Sequence, residues 1–419
     1  MAVEEPSKLD LIQARVSFIP DGWALKRVSQ ALEICNNFRK PISQEERDEI
    51  QGDFPYYGPT KIQDWISTYE QDGDYALIGE DGDHFLKYKV MPQTQMISGK
   101  CTVNNHAHII ASTDLCDSEW FFNYFKHRDI TNFLSRQGAG RFKLNKATLE
   151  KLPLLVPPLP EQKKIAQILS TWDKAIATTE QLLANSQQQK KALMQQLLTG
   201  KKRLLDENGV RFSGEWETKK VQDFFEVGSS KRVLQADWQH SGVPFYRTRE
   251  LVSLNNQESF RSEIFISQQL YHELATTYGI PKKGDFLVSG VGTLGIFYQV
   301  VDDNELYFKD GNVIWFKKKE KVCSEYFGFL FQSGYVQNQI VAQAAITTVA
   351  TYTIKNAKVT KLFCTTSVSE QAEIVKILKS AEAPIEAYRQ KLNYLQSEKK
   401  ALMQQLLTGK RRVDLEYSE

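Results

Sequence analysis

The chain lacks most features that would announce a chemistry. No window approaches eighteen apolar residues, so no membrane-spanning helix is expected. The first thirty residues have no basic start and no long apolar run, and no secretory signal is expected from them. Five cysteines among 419 residues, Cys35, Cys101, Cys116, Cys323 and Cys364, lie far apart and form no C-x-x-C. They exclude a disulfide framework and read as reduced, buried thiols in a reducing compartment, with a cytoplasmic location expected. Net charge is +2, from 53 Lys and Arg against 51 Asp and Glu. No global basic field exists to gather nucleic acid, so any basic surface must be local. A Walker loop, a nucleophile elbow and an Asn/Asp-Pro-Pro-Tyr methyltransferase motif are all missing, and catalysis within the chain is not expected.

What the chain has is a repeat. KKALMQQLLTGK at 190–201 returns letter for letter at 399–410, an offset of 209. The same offset aligns Glu161-Gln162 with Glu370-Gln371, Ile165 with Ile374 and Ile176 with Ile385. A segment of about forty residues is therefore duplicated, and each copy closes one half of the chain. The first copy reads as a helix over 161–199, with Pro158 and Pro160 at its start and Gly200 as its stop. Its apolar stripe alternates four and three: Ile165, Leu169, Trp172, Ile176, Thr179, Leu183, Ser186, Lys190, Leu193, Leu197. The second stripe is Ile374, Leu378, Ala381, Ile385, Tyr388, Leu392, Leu395, Lys399, Leu402, Leu406. A period of 3.5 is a coiled-coil seam. Neither copy has a partner within its own half, so antiparallel pairing of one with the other is expected. Each helix would be about 58 Å long at 1.5 Å per residue. Ser367 to Glu370 reads as a capping box, and Pro384 should kink the second helix or interrupt its hydrogen-bond ladder.

A segment of mixed strand and helix precedes each of these helices. YALIGE (75–80), HAHIIAS (106–112), VPFYRTREL (243–251), GDFLVSG (284–290), GIFYQVV (295–301) and NVIWFK (312–317) read as strands. The stretches 118–136 and 324–343 read as helices in corresponding places, and 137–146 as a basic, Gly-rich loop. Trp23 and Trp216 hold corresponding positions near the start of each half. The fold class is α+β: two mixed α/β domains separated by two long helices paired as an antiparallel coiled coil, with pseudo-two-fold symmetry. The boundaries are 1–157, helix 158–206, 207–366, helix 367–412 and a tail at 413–419.

GVGTLG at 290–295 matches G-x-G-x-x-G, but a β-type run follows it where a dinucleotide site needs a helix N-terminus. A Gly-rich hairpin turn is the simpler reading; such a backbone-accessible turn could still approach a DNA phosphate, and Thr293 on it is a DNA-binding candidate. His106 and His108 lie two apart on one strand face without further metal ligands at a recognisable spacing. For DNA, the candidates are basic, amide and aromatic residues in loops: Tyr56, Tyr57, Lys61, Asn104, Asn105, Arg136, Arg141, Lys143, Arg247, Arg249, Lys309 and Asn312. Arg and Asn can read guanine and adenine edges, and Lys suits phosphates.

This layout strongly resembles the specificity (S) subunit of type I restriction–modification enzymes. The residues that carry the resemblance are LPLLVPPLPEQKKIAQIL (152–169) and KKALMQQLLTGKKRL (190–204), with the second copy in VSEQAEIVKIL (368–378) and KKALMQQLLTGKRR (399–412). FPYYGPTKI (54–62), SGKCTVNNHAHII (98–110), VPFYRTREL and GDFLVSGVGTLG resemble its target-recognition domains. TTSVSEQ (365–371) departs from the Pro-Pro of the first copy. The resemblance implies a non-catalytic subunit that reads a bipartite, asymmetric target in double-stranded DNA, one half per domain, with the helix pair as a ruler. It implies two modification (M) methyltransferase subunits as partners, joined by restriction (R) translocase/nuclease subunits. It implies no cofactor on this chain; S-adenosylmethionine, ATP and Mg2+ would be used by the other subunits. Two other readings compete: a coiled-coil scaffold with two protein-binding modules, and a nucleotide-binding enzyme using Gly290–Gly295.

Overall fold

Alternating apolar and polar residues fold the two mixed segments into short strands, and the same succession of strands and helices comes twice. The structure, a computed structural model, describes residues 8–136, 142–256, 262–344 and 350–415. The chain divides into two units. The first is Met1–Glu180 with Gln390–Glu419, and the second is Gln181–Arg389. Each unit thus holds one mixed domain, the start of one long helix and the end of the other.

In the first unit, Ala24–Arg27 pairs antiparallel with Pro153–Val156 beside the first long helix. A four-stranded antiparallel sheet follows in the order Glu33–Ile34, Ala107–Ala111, Tyr75–Gly79, Thr94–Ile97. A second sheet runs Ile62–Ile66, Gln51–Tyr57, Lys100–Val103, Gln71–Asp72, and its central pair is parallel, with Tyr56 opposite Thr102. The second unit repeats the plan. Trp216–Lys220 pairs with Lys361–Thr365. The four-stranded sheet is Phe225–Gly228, Val313–Lys318, Phe286–Ser289, Phe297–Gln299. The other sheet is Phe265–Ile266, Val243–Tyr246, Tyr307–Phe308, again with one parallel pair.

The stretch 118–136 is helical only over Ser118–Phe125. Asp129 then caps a short turn by accepting from the Thr131 N–H and hydroxyl, and Ser135–Arg136 is a strand paired with Phe142–Lys143. Likewise 324–343 is two helices, Ser324–Phe331 and Gly334–Ala344, broken where the Ser333 carbonyl accepts the first N–H groups of the second. VPFYRTREL is a strand only to Tyr246, and Thr248–Asn255 is a helix. In the basic loop 137–146, residues 137–141 lie outside the described residues.

Both long helices have 39 residues, Leu159–Leu197 and Val368–Leu406. Pro160 sits in the first turn, where its missing N–H costs nothing. Each helix closes on a glycine with positive φ, Gly200 at +68° and Gly409 at +67°. A six-residue return bond follows each, Lys202 N–H to Gln196 O and Arg411 N–H to Gln405 O. The capping box at Ser367 is half made. The Ser367 hydroxyl accepts from the Glu370 N–H at 3.3 Å, while the Glu370 carboxylate is taken by Arg203 and the Thr365 hydroxyl. The second helix continues through Pro384.

None of the seam positions is exposed. In the first unit Ile165 and Leu169 join Leu406 and Leu407 in one core with Trp120, Phe121, Tyr124 and Phe125 of the short helix. In the second unit Leu197 and Leu198 join Ile374 and Leu378 in a core built on Phe225, Phe286, Phe316 and Phe331. Each such fully buried side chain stabilises by about 1.5–3 kcal/mol. The helix segments are antiparallel in each unit, because early residues of one meet late residues of the other. Arg412 forks onto Glu161 at 2.7 and 2.8 Å, and Lys399 pairs with Asp173. In the second unit Arg203 forks onto Glu370 at 2.7 and 3.1 Å, and Lys190 pairs with Glu382 at 2.6 Å. All four residues of one set map onto the other by the offset of 209. Of the cysteines, four are buried; Cys323 is half-buried, because the chain turns there into the helix from Ser324. Among the described residues no helix is long and apolar enough to cross a membrane.

Candidate nucleic-acid interface

The candidate interface in each unit gathers at the end of the parallel strand pair. In the first unit strand alternation decides which side chains remain available. Tyr56 points inward and is 1% exposed. Its hydroxyl donates to the Lys40 carbonyl at 3.1 Å and accepts from the Ile42 N–H at 3.0 Å. Arg47 lies 5.1 Å over its ring. Tyr56 is therefore a core residue, not a DNA contact. Asn104 is also committed: its amide donates to Gln63 at 2.9 Å and its oxygen accepts from the His106 N–H at 2.8 Å, which shapes the turn. Tyr57, one position along, is half-buried, and burial pushes its hydroxyl up. Lys61 and Asn105 are exposed.

Behind that turn stands an ion cluster that residue typing alone did not single out. Arg39 donates to Glu80 at 2.6 Å and to the Asn105 carbonyl at 3.0 Å. Lys143 reaches the same carboxylate at 3.2 Å. Burial would raise Glu80, but the hydrogen bonds from Arg39 and Lys143 and the charge of Arg39 hold it below the usual carboxylate range. Arg39 positions Asn105, and Lys143 is anchored rather than free. His106 and His108 do not share a strand face. His106 lies in the turn beside Asp81 at 2.9 Å. His108 is buried, with Nε2 donating to the Leu144 carbonyl at 2.7 Å and Nδ1 accepting from Asn36 at 2.8 Å. That pattern is neutral imidazole, in keeping with burial lowering its pKa. Arg136 lies in the strand Ser135–Arg136, its side chain outside the description, and Arg141 lies outside the described residues. An exposed aromatic group on the second sheet was also missed: Trp65 and Tyr69, with Lys100 4.8 Å over the Tyr69 ring.

In the second unit Lys309 takes the place of Asn104: its N–H donates to the Tyr246 carbonyl at 2.8 Å, as that of Asn104 does to Tyr57 at 3.0 Å. Its ammonium lies 5.8 Å from the Trp238 ring. Arg247 is committed, forking onto Glu250 at 3.0 and 2.5 Å. Burial would raise Glu250, but these bonds hold it below the carboxylate range. Arg249 touches Glu250 and Glu263 and keeps 58% of its side chain exposed. Residues 290–295 form the hairpin turn between Phe286–Ser289 and Phe297–Gln299, with no helix behind it. Gly290 is needed there, because a Cβ would meet the Tyr352 carbonyl at 2.9 Å. Thr293 is exposed on this turn, and half-buried Asn312 accepts from the Gly290 N–H at 2.8 Å through its carbonyl. The turn offers backbone to a phosphate but lacks the helix dipole of a nucleotide loop.

Comparison with known proteins agrees with this architecture. The model of the type I restriction modification DNA specificity domain matches residues 20–185 and 213–397, one copy in each half. A Haemophilus influenzae chain described as a type I restriction enzyme specificity subunit is 30% identical over 311 residues, 70% of this chain and 72% of its own. The MjaVIII specificity subunit of Methanocaldococcus jannaschii is 24% identical over 420 residues, 94% of each chain. The solved S subunit from M. genitalium covers 95% of this chain and 98% of its own, with a TM-score of 0.62 at 13% identity, and so shares the fold. The chain belongs to the specificity subunits of type I restriction–modification systems, the non-catalytic members of those complexes that carry DNA recognition.

Proposed function

We propose that the chain reads a bipartite, asymmetric target in double-stranded DNA, one half-site per mixed domain, and docks two M methyltransferase subunits through its helical segments. One observation carries the reading. The two units build the same parallel strand pair but follow it with different residues, Asn104-Asn105 in one and Lys309-Asp310 in the other, and of these Asn105 is exposed while Asn104 is committed to its own turn. Matched supports with unmatched tips suit a reader of two unlike half-sites. On this reading R subunits join the M–S assembly. S-adenosylmethionine, ATP and Mg2+ are used by the other subunits, and the complex works in the cytoplasm with the host DNA.

Mapping methylated adenine in the host genome, or selecting DNA with the chain assembled with its M partner, tests it. A split sequence of two unlike parts is expected, and a continuous motif sinks the proposal. Inserting four residues near Ser186 should lengthen the unread spacer and leave both half-sites unchanged. Fixed and stated salt is required, because phosphate contacts dominate the affinity.

A further inference from the structure

The repeat supplies an internal control, because the pairs that hold the two helices together recur in both units. One cavity fails that test. It lies in the first unit between the end of the short helix Ser118–Phe125 and the last turns of the second long helix, and its volume is about 720 Å3. Six Lys and Arg side chains line it against two carboxylates, Asp129 and Asp173. Lys399 and Asp173 belong to the repeat, since Lys190 and Glu382 make the same pair in the second unit. The added cations are Lys126 and Arg128. The short helices align without a gap, SEWFFNYF on SEYFGFLF, so Lys126-His127-Arg128 corresponds to Gln332-Ser333-Gly334. The frame shared by the two units therefore does not demand these cations.

Lys126 adds a positive charge where one cation already holds the carboxylate. Lys126 Nζ lies 3.9 Å from Asp173, the carboxylate that already pairs with Lys399. Two ammonium groups share one carboxylate, and burial together with Lys399 makes Lys126 easier to deprotonate. Arg128 is held over the Tyr124 ring at 4.0 Å with one end of its guanidinium donating to the Ala14 carbonyl, and Lys400 adds an exposed charge at the rim. The floor is apolar, formed by Ile176, Met403 and Leu407 with Tyr88. A cluster of cations over an apolar floor, in a volume typical of small-molecule sites, fits a phosphate joined to a flat ring.

We infer that this cavity is a phosphate-recognising site that takes a nucleotide, either free or within a nucleic-acid strand. The excess ammonium charge meets the phosphate, and the apolar floor receives the base.

Binding of pyrophosphate, ATP and a short duplex of unrelated sequence to the full chain, measured by calorimetry, tests this. The variant Lys126→Gln/Arg128→Gly imports the second unit's residues, and Lys400→Gln removes a rim charge that has no part in the core. A cooperative thermal transition for each variant shows that it is folded. Affinity for pyrophosphate and ATP is expected to fall about tenfold or more in the double variant and by less in Lys400→Gln. If the duplex competes with ATP and weakens in parallel, the phosphate comes from a strand; if it does not compete, the ligand is a free nucleotide. Equal affinity of all three proteins for pyrophosphate and ATP, or no binding by any, overturns the inference.

Discussion

The two units solve one structural problem with different residues. Each must hold a buried glutamate at the start of a long helix against an arginine that follows the end of the other. In the first unit Glu161 accepts from Arg412 and from the Trp23 indole at 3.0 Å. In the second, Glu370 accepts from Arg203 and from the Thr365 hydroxyl at 2.7 Å. The change of partner follows from one substitution and from strand register. Thr365 stands where the first unit has Val156, by the same offset of 209, and each lies five residues before its glutamate. Trp216 pairs with Thr365, whereas Ala24, the residue after Trp23, pairs with Val156. The second tryptophan is therefore one step further along its strand, and its indole N–H is left buried without a hydrogen bond while its ring lies on Phe363. The carboxylate–guanidinium pair is what the scaffold needs, and the third partner is open to substitution.

Exchanging residues 207–366 for the corresponding segment of another specificity subunit breaks the comparison most directly. One half-site should change completely and the other should persist, as read by methylated-adenine mapping; a change in both would mean the units do not read independently. Next in size is the clasp. Arg203 is 22% exposed and Arg412 is 45% exposed, while their glutamates are almost fully buried. Arg203→Met should cost about 2–4 kcal/mol in urea unfolding, because it strands a buried carboxylate, and Arg412→Met should cost less. Adding Glu370→Gln to Arg203→Met should recover part of the loss.

Acid should weaken both units in the same direction. Glu80 and Glu250 are held below the ordinary carboxylate range. The stability each adds is complete above the unfolded value of about 4.3 and is lost as pH falls through the lower folded value. Glu80→Gln and Glu250→Gln should each flatten the fall in thermal midpoint below about pH 5, with some stability already lost at neutral pH. The smallest difference concerns the tryptophans. Trp23→Phe removes a bonded indole and should cost about 1 kcal/mol more than Trp216→Phe, whose N–H has no partner to lose.

Much of the scaffold was legible because it is local and periodic. The helix read at 161–199 is observed at Leu159–Leu197, and the seam positions are all sheltered. The strands at 75–80, 284–290 and 312–317 stand where their apolar runs lie. The helix at 118–136 was over-extended because nothing in its periodicity reveals that Asp129 turns the chain toward a strand. The recognition surface was much less legible. Tyr56 and Asn104 have the right chemistry for DNA, but which face of a short strand is covered depends on a partner sheet distant in sequence. The commitment of Arg247 was within reach, since Glu250 lies three residues on, in the first turn of the helix that Arg247 precedes. Arg39 could not be found that way, because its partner Glu80 is 41 residues along the chain.

The crosswise lysine pairs bear on how such a chain can change over generations. Lys190 comes from one copy of the repeat and finds its acid, Glu382, in the other; Lys399 does the reverse with Asp173. A substitution in either copy is therefore judged by the opposite copy, so the two cannot drift apart one residue at a time. The mixed domains lie outside this reciprocal pairing, and exchange of one is expected to leave both lysine pairs in place.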